Sequence, residues 1–294
     1  MSRHLAVRSI METPILDDHK WAKVPSIPAD AWILDMEDSV PPARKEEARA
    51  KVVEYLGRPE YFGNHLLLPR PNHISTPWGR DDLQALADAK VSVIMLPKVQ
   101  SIDDIREVQA ILHQRGCDPE IYVNVESARG VVNVEEIAQL DEVVCLMWGP
   151  GDLSLDVGML LYDPDGMMNA GFVYPQMRIV LAGAAYGVAT TNFVLQTDMR
   201  DLAEFRRRTE RGRRLGFTSA STFYPPHVGI INEVFSPSPE EIAHARKTVE
   251  IIDNARAEGA PAALRPDGGV VLVHDYEKAR KILARAELLG VAAG

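Results

Sequence analysis

A chain of 294 residues, 46% hydrophobic and 25% charged, with a formal net charge of −10, has the composition of an ordinary soluble globular protein. The charge excludes the broad cationic surface that nucleic acid or an anionic membrane requires, and no apolar run approaches the ~20 residues of a membrane-spanning helix. Two cysteines, Cys117 and Cys145, make neither a disulfide framework nor a zinc site. With an N-terminus that lacks the apolar core of a signal peptide, they point to a cytoplasmic, reducing compartment.

In chain order, short apolar runs alternate with charged amphipathic stretches. The pattern predicts strands over 6–10, 31–37, 66–69, 91–96, 121–125, 142–147, 189–195 and 217–224. Between them it predicts helices over 43–56, where Pro41 and Pro42 mark the start, and over 81–89, 101–115, 131–139, 173–186 and 198–215. Ser101 and Asp104 suit a capping box, and residues 152–171, rich in Gly and Asp, read as a long loop. The tail adds helices over 239–258 and 276–289, with a short strand or turn at 268–273. Eight strand–helix units within about 235 residues is the count of a (β/α)8 TIM barrel, so residues 1–235 read as the barrel and 236–294 as a C-terminal helical extension. A doubly wound sheet is the alternative, but neither a GxGxxG nor a GxxxxGK motif is present to support a nucleotide fold.

Five of these runs stop at a charged residue: Asp38, Arg70, Lys98, Glu126 and Asp152, at intervals of 32, 28, 28 and 26 residues. One strand–helix unit has that length, so the charged ends should meet at one rim of the parallel sheet. Strand alternation puts Ile33, Asp35 and Glu37 on one face and Tyr122, Asn124 and Glu126 on another. Carboxylates directed into a barrel mouth need a cation or water as partner. Lys98 reads as a rim salt bridge rather than a Schiff-base lysine, since nearby carboxylates keep its pKa high. Asp38 either works at the site or caps the helix entered through Pro41 and Pro42. The arginine-rich stretch 206–214 reads as a solvated face, because acids are interleaved with it; a phosphate-bearing ligand or a second subunit is the other reading.

The ordered segments Arg8-Ser9, 33–49 (Ile-Leu-Asp-Met-Glu-Asp-Ser-Val, then Lys45 and Arg49), Pro69-Arg70-Pro-Asn72, Pro97-Lys-Val99, Glu126-Ser-Ala-Arg-Gly130 and Gly149-x-x-Asp-Leu153 resemble the citrate lyase β-subunit-like group of the HpcH/HpaI aldolase superfamily. The resemblance implies a divalent metal, Mg2+ with Mn2+ as the alternative, held by Glu126 and Asp152. It implies carbon–carbon cleavage or formation through an enolate that the metal stabilises as a Lewis acid. Arg70 would hold the developing oxyanion, Pro150 and Gly151 would line the substrate site, and Glu37 and Asp38 would orient water around the metal. It further implies a homotrimer or hexamer, with Asp275 reaching a neighbouring subunit's site as acid or base; alternatively Asp275 is the cap of the last helix.

Coenzyme-A-using relatives carry Gly-Phe-x-Gly-Lys-x-x-Ile-His-Pro-x-Gln near the barrel's end. This chain has Gly216-Phe-Thr-Ser-Ala-Ser-Thr-Phe-Tyr-Pro-Pro-His227, so the lysine, the Ile-His pair and the glutamine are missing. That tilts the expected substrate toward a small free 2-oxo or hydroxy acid rather than its acyl-CoA thioester. His227 reads as a loop histidine without a role. Thioester hydrolysis on the same site, and a non-catalytic or partner-dependent lyase subunit, are the competing readings.

Overall fold

The computed structural model describes residues 3–63, 65–257, 263–264 and 270–291. The chain divides into two compact units, Val7–Asn232 and Met1–Ala6 with Glu233–Gly294.

The first unit is built on eight parallel strands: β1 (Ser9–Pro14), β2 (Ala31–Asp35), β3 (Leu66–Arg70), β4 (Val93–Leu96), β5 (Glu120–Val125), β6 (Val143–Trp148), β7 (Ala189–Phe193) and β8 (Ser219–Thr222). They hydrogen-bond in the order β3-β2-β1-β8-β7-β6-β5-β4, and β3 and β4 face each other across the remaining seam. The sheet is therefore a nearly closed (β/α)8 barrel, as the spacing of the charged stops predicts. Helices α1 (Lys45–Leu56), α2 (Gly79–Asp88) and α3 (Ile102–His113) follow β2, β3 and β4, and the pair α4 (Ala128–Val132) and α5 (Val134–Ala138) follows β5. Then come α6 (Pro150–Val157), α7 (Val173–Tyr186), α8 (Leu202–Leu215) and α9 (His227–Val234). Asp104 accepts from the Ser101 and Gln100 N–H groups at 2.9 and 2.7 Å and so starts α3.

Strand interiors such as Ala31–Asp35 are fully buried, because both faces of a barrel strand are covered. Below the mouth, the barrel centre is polar but satisfied: Cys145 Sγ lies 3.3 Å from Thr191 Oγ1, which lies 2.8 Å from Ser219 Oγ. Burial pushes the Cys145 thiol up to about 12, so both buried cysteines pack as small apolar groups. At the opposite end, Arg8 forks onto Asp30 through Nε and Nη2 at 2.9 and 2.8 Å, which pins the starts of β1 and β2 and marks that face as structural.

The structure corrects four expectations about local elements. Strand β1 runs Ser9–Pro14, three to four residues later than 6–10, because residues 3–6 form a 3-10 turn. The long loop at 152–171 opens with a helix, Pro150–Val157, started by a proline in its first turn and ended by Gly158 at φ +69°. His227 is not an idle loop residue. It is fully buried, opens α9 and bonds Thr222 Oγ1 and the Met199 carbonyl, both at 2.9 Å, with its ring stacked 3.4 Å from that of Phe205. Burial holds its pKa below the ordinary value, so it is a neutral tie between β8 and the segment before α8. Finally, Asp38 does not cap the helix entered through Pro41 and Pro42, whose start has no side-chain cap; the turn before it is held instead by Asp35, whose carboxylate accepts from the Glu37 and Ser39 N–H groups at 2.8 and 2.9 Å.

The second unit holds α10 (Pro239–Ala257) and α11 (Val273–Leu288), with a two-stranded antiparallel pair, β9 (Ala263–Leu264) and β10 (Val270–Val271). Ile252, Val271 and Tyr276 form its small core, and the Tyr276 hydroxyl donates to Asp253 at 3.0 Å. Gly268 and Gly269, part of the expected 268–273 strand or turn, lie outside the described residues. Among the described residues no helix is long and apolar enough to cross a membrane.

Candidate active site

The C-terminal ends of the strands surround a cavity of ≈ 320 Å3 whose charged lining comprises Glu12, Asp38, Arg70, Glu126 and Asp152. Strands β1 to β3 carry one half of it. Register places Asp35 opposite Arg70 at the ends of β2 and β3, and the guanidinium is clasped from several sides. Nε donates to Asp35 Oδ1 at 2.7 Å and Nη2 to Glu12 Oε1 at 2.8 Å, with Glu37 Oε2 3.7 Å from Nε. Burial opposes charge on Arg70, but Asp35, Glu12 and Glu37 outweigh it and raise its pKa well above the ordinary value. Burial pushes Asp35 up, yet Arg70 more than offsets this and leaves it below the usual carboxylate range. Burial also raises Glu12 and Glu37, with Arg70 opposing in both.

The turn after β2, which carries Glu37 and Asp38, is locked from below. Lys45 Nζ donates to the Met36 and Glu37 carbonyls at 2.9 and 2.7 Å, and Asn72 Nδ2 donates to the Met36 carbonyl at 2.9 Å. Asp82, fully buried in α2, accepts from Arg49 Nε and Asn72 Nδ2 at 2.7 and 2.6 Å. The Lys45, Arg49 and Asn72 positions of the sequence motif thus hold the rim in shape without entering the cavity.

Strands β5 and β6 carry the other half. Glu126 Oε2 takes a 3.1 Å bond from Asn124 Nδ2 and Oε1 a 2.8 Å bond from the Lys98 N–H. Burial, reinforced by the Glu37 and Asp152 charges, raises the Glu126 carboxyl to about 7. Gly149 is required beside it, since a Cβ there would lie 2.5 Å from Glu126 Cβ and Oε2. Asp152 sits in the first turn of α6 behind Pro150 and Gly151, with no side chain capping that helix end. Lys98, at φ +54°, ties the two halves together. Its Nζ lies 2.7 Å from Glu37, 3.3 Å from Asp38 and 3.3 Å from Asp152. Burial lowers its pKa, but Glu37, Asp38 and Asp152 outweigh that and raise it above the ordinary lysine value, where the ammonium is no nucleophile.

Glu126 and Asp152 fit a hard divalent cation. Asp152 Oδ2 and Glu37 Oε2 are buried yet accept no hydrogen bond among the described residues, despite the 3.3 Å approach of Lys98 to the former. Lys98 is shared between these two carboxylates, and the oxygens without hydrogen bonds can take a further cation. No group of three or more His, Cys, Asp or Glu side chains converges as a metal cage among the described residues. Two carboxylates with open positions are what Mg2+ takes when water and substrate complete its shell.

Reading the sequence brings Glu37, Asp38, Arg70, Glu126, Pro150, Gly151 and Asp152 to this mouth, and the structure places all of them there. Asp275 belongs to the second unit, at the third position of α11, where Oδ2 accepts from the Leu272 N–H at 3.1 Å. Sequence reasoning missed Glu12, because β1 starts later than its apolar run suggests. The signal available was the alternation Ile10-Met11-Glu12, which puts Glu12 on the same face as Ile10 once the strand is extended to Pro14. It also missed Ser221 of β8, which lines the cavity. In the arginine-rich helix α8, Arg207 pairs with Glu204 and Arg214 more loosely with Glu210, both arginines solvated, whereas Arg208 is largely buried, pairing with Glu204 and donating to the Leu195 and Gly166 carbonyls.

A (β/α)8 barrel that gathers acidic side chains and a buried arginine at its C-terminal rim has the layout of an enzyme that handles small oxygenated anions. This chain belongs to the HpcH/HpaI aldolase/citrate lyase family, whose sequence model matches residues 13–225. It is 32% identical over 283 residues, 96% of this chain and 95% of the relative, to a (3S)-malyl-CoA thioesterase of Cereibacter sphaeroides. It is 31% identical over 286 residues to the L-malyl-CoA/beta-methylmalyl-CoA lyase of Rhodobacter capsulatus, with 90% and 89% of the two chains covered. Among solved structures it resembles CitE of Mycobacterium tuberculosis in complex with magnesium, acetoacetate and coenzyme A, at 26% identity and a TM-score of 0.78, over 96% of this chain and 99% of that one.

Proposed function

We propose that this chain is a Mg2+-dependent carbon–carbon lyase of aldolase type acting on a small 2-oxo or 2-hydroxy acid or its coenzyme A thioester. The observation that carries the reading is the grouping of the buried Glu126 carboxylate and of Asp152, whose Oδ2 accepts no hydrogen bond among the described residues, with the buried Arg70 guanidinium around one cavity. Glu126 and Asp152 would hold the metal, which supplies a Lewis acid for negative charge developing on substrate oxygen. Arg70, fixed by Asp35 and Glu12, holds the substrate oxyanion with no side-chain motion needed during the reaction. The backbone N–H groups of Gly151 and Asp152 at the start of α6 orient the substrate carboxylate, and Glu37 and Asp38, steadied by Lys98, orient water.

In the cleavage direction a base takes the proton of the substrate hydroxyl. The oxygen's electron pair becomes the second bond of a carbonyl, and the adjacent carbon–carbon bond breaks. Its electrons stay on the retained fragment as an enolate, which then takes a proton. We assign the proton transfers to Asp275 of a neighbouring copy, delivered by the C-terminal extension in a homotrimer or hexamer. The reducing cytoplasm is the location that suits two buried free thiols.

The test is product analysis by mass spectrometry with Mg2+, offering malyl-CoA and a free 4-hydroxy-2-oxo acid to the isolated chain. Glyoxylate with acetyl-CoA, or pyruvate with an aldehyde, is the expected result. Malate with free coenzyme A would establish instead the thioesterase reading, which the Cereibacter relative favours. No Mg2+-dependent turnover of either compound would overturn the assignment in favour of a partner-dependent subunit. Light scattering reads the oligomer.

A further inference from the structure

Strand order places β1 four strands from β5 in either direction around the barrel, so Glu12 and Glu126 face each other across the mouth. A substrate whose acid head is held at β5 and β6 must therefore direct its far end toward β1 and β8. Two polar side chains meet it there. Glu12 spends Oε1 on Arg70 Nη2 at 2.8 Å, while Oε2 takes no hydrogen bond among the described residues and the side chain remains 27% exposed to the cavity. Ser221, paired in register with Ile10 of β1, lines the same cavity, and its hydroxyl has no partner among the described residues. The remaining wall at that end is apolar, from Leu161, Phe193 and Leu195.

We propose that Glu12 and Ser221 form a hydroxyl-recognising subsite, so that the substrate carries a neutral hydroxyl, not a second carboxylate, at the end remote from the metal-held acid. The charge balance selects this chemistry. Four carboxylates line the cavity, Glu12, Asp38, Glu126 and Asp152, against Arg70 alone among its lining cations. Arg70 is itself already compensated by Asp35 and Glu12. A second substrate carboxylate beside Glu12 would meet like charge with no free cation to balance it. An ammonium group is not called for, because Arg70 already neutralises Glu12. A hydroxyl can donate to the open Glu12 oxygen and accept from Ser221, and sites built around such a pair reject analogues that lack the hydroxyl.

This assignment rests on the proposed metal-held acid, and the experiment separates the two. Titration calorimetry with Mg2+ compares 2,4-dihydroxybutanoate with malate, which differ only in a hydroxymethyl against a carboxylate at the far end, and uses pyruvate as a probe of the metal site alone. The wild type is expected to bind dihydroxybutanoate at least about tenfold tighter than malate. Ser221→Ala should lower that ratio severalfold while leaving pyruvate binding within about twofold, and Glu12→Gln, which also removes a partner of Arg70, should lower the ratio further. Preference for malate in the wild type, or an unchanged ratio in Ser221→Ala with pyruvate binding intact, overturns the subsite and leaves the lyase reading standing. Loss of Mg2+-dependent binding of all three probes in the wild type overturns both.

Discussion

The two halves of the barrel mouth handle charge in opposite ways. On the β1–β3 side, Arg70 is buried but surrounded by Asp35, Glu12 and Glu37, and its desolvation is offset within the fold. On the β5–β6 side, Glu126 is nearly as buried but sits among other carboxylates, and Asp152 keeps a buried oxygen without a hydrogen bond. A fold leaves one cluster compensated and its neighbour in deficit when something from outside completes the second. The first half is therefore a rigid fixture and the second, on the proposed metal-binding reading, a socket for a cation, with Lys98 reaching across from one to the other.

The strongest way to break this contrast is to empty the socket. Asp152→Ala should reduce Mg2+ affinity by about 100-fold or more, as read by calorimetry in the presence of pyruvate, with little loss of stability because its ion pair with Lys98 is partly exposed and screened by solvent. Arg70→Met should do the reverse. It strands Asp35 and Glu12 around a neutral side chain, and urea denaturation should show a loss of about 3–5 kcal/mol, whereas pyruvate-free Mg2+ binding changes little. Equal effects of the two substitutions on stability would erase the distinction between fixture and socket.

Protonation sharpens it further. Because Glu126 is raised from 4.5 to about 7, the metal-free folded protein keeps a proton there that the unfolded chain has already lost. Its stability should fall as pH rises from about 4.5 to about 7, the opposite of the acid-labile behaviour of a salt-bridged carboxylate. Mg2+ uptake should release close to one proton at pH 6 and almost none at pH 8, measured by calorimetry in buffers of different ionisation enthalpy. The smallest expected effect is at Lys98. Lys98→Met removes a cation that competes for Asp152, so Mg2+ should bind about three- to tenfold tighter, and a weaker affinity would show the lysine to be a support of the socket instead.

Much of this site was legible in the chain. The charged stops at Asp38, Arg70, Lys98, Glu126 and Asp152 recur at the length of one strand–helix unit, and a parallel barrel converts that interval into a shared rim. Side-chain alternation likewise put Glu37 and Glu126 on inward faces. What stayed hidden has physical causes. The apolar run before Arg8 resembles a strand, so β1 was placed early and Glu12 fell outside it. Asp35 and Asp38 are chemically alike at the end of one strand, and only the packed turn decides that Asp35 takes the Ser39 N–H and Arg70 while Asp38 faces the cavity. His227 follows two prolines in the manner of a loop residue, yet Phe205, Thr222 and Met199, distant from one another in sequence, enclose it.

The sequence by itself determined the barrel, its polar rim and the residue types that reach it, because strand period and unit length are local properties that chain order carries directly. The tertiary structure alone decided which carboxylates are compensated and which are left open. That balance depends on distances between side chains on different strands, such as Glu12 with Arg70 and Lys98 with Asp152, and on how deeply each is removed from water.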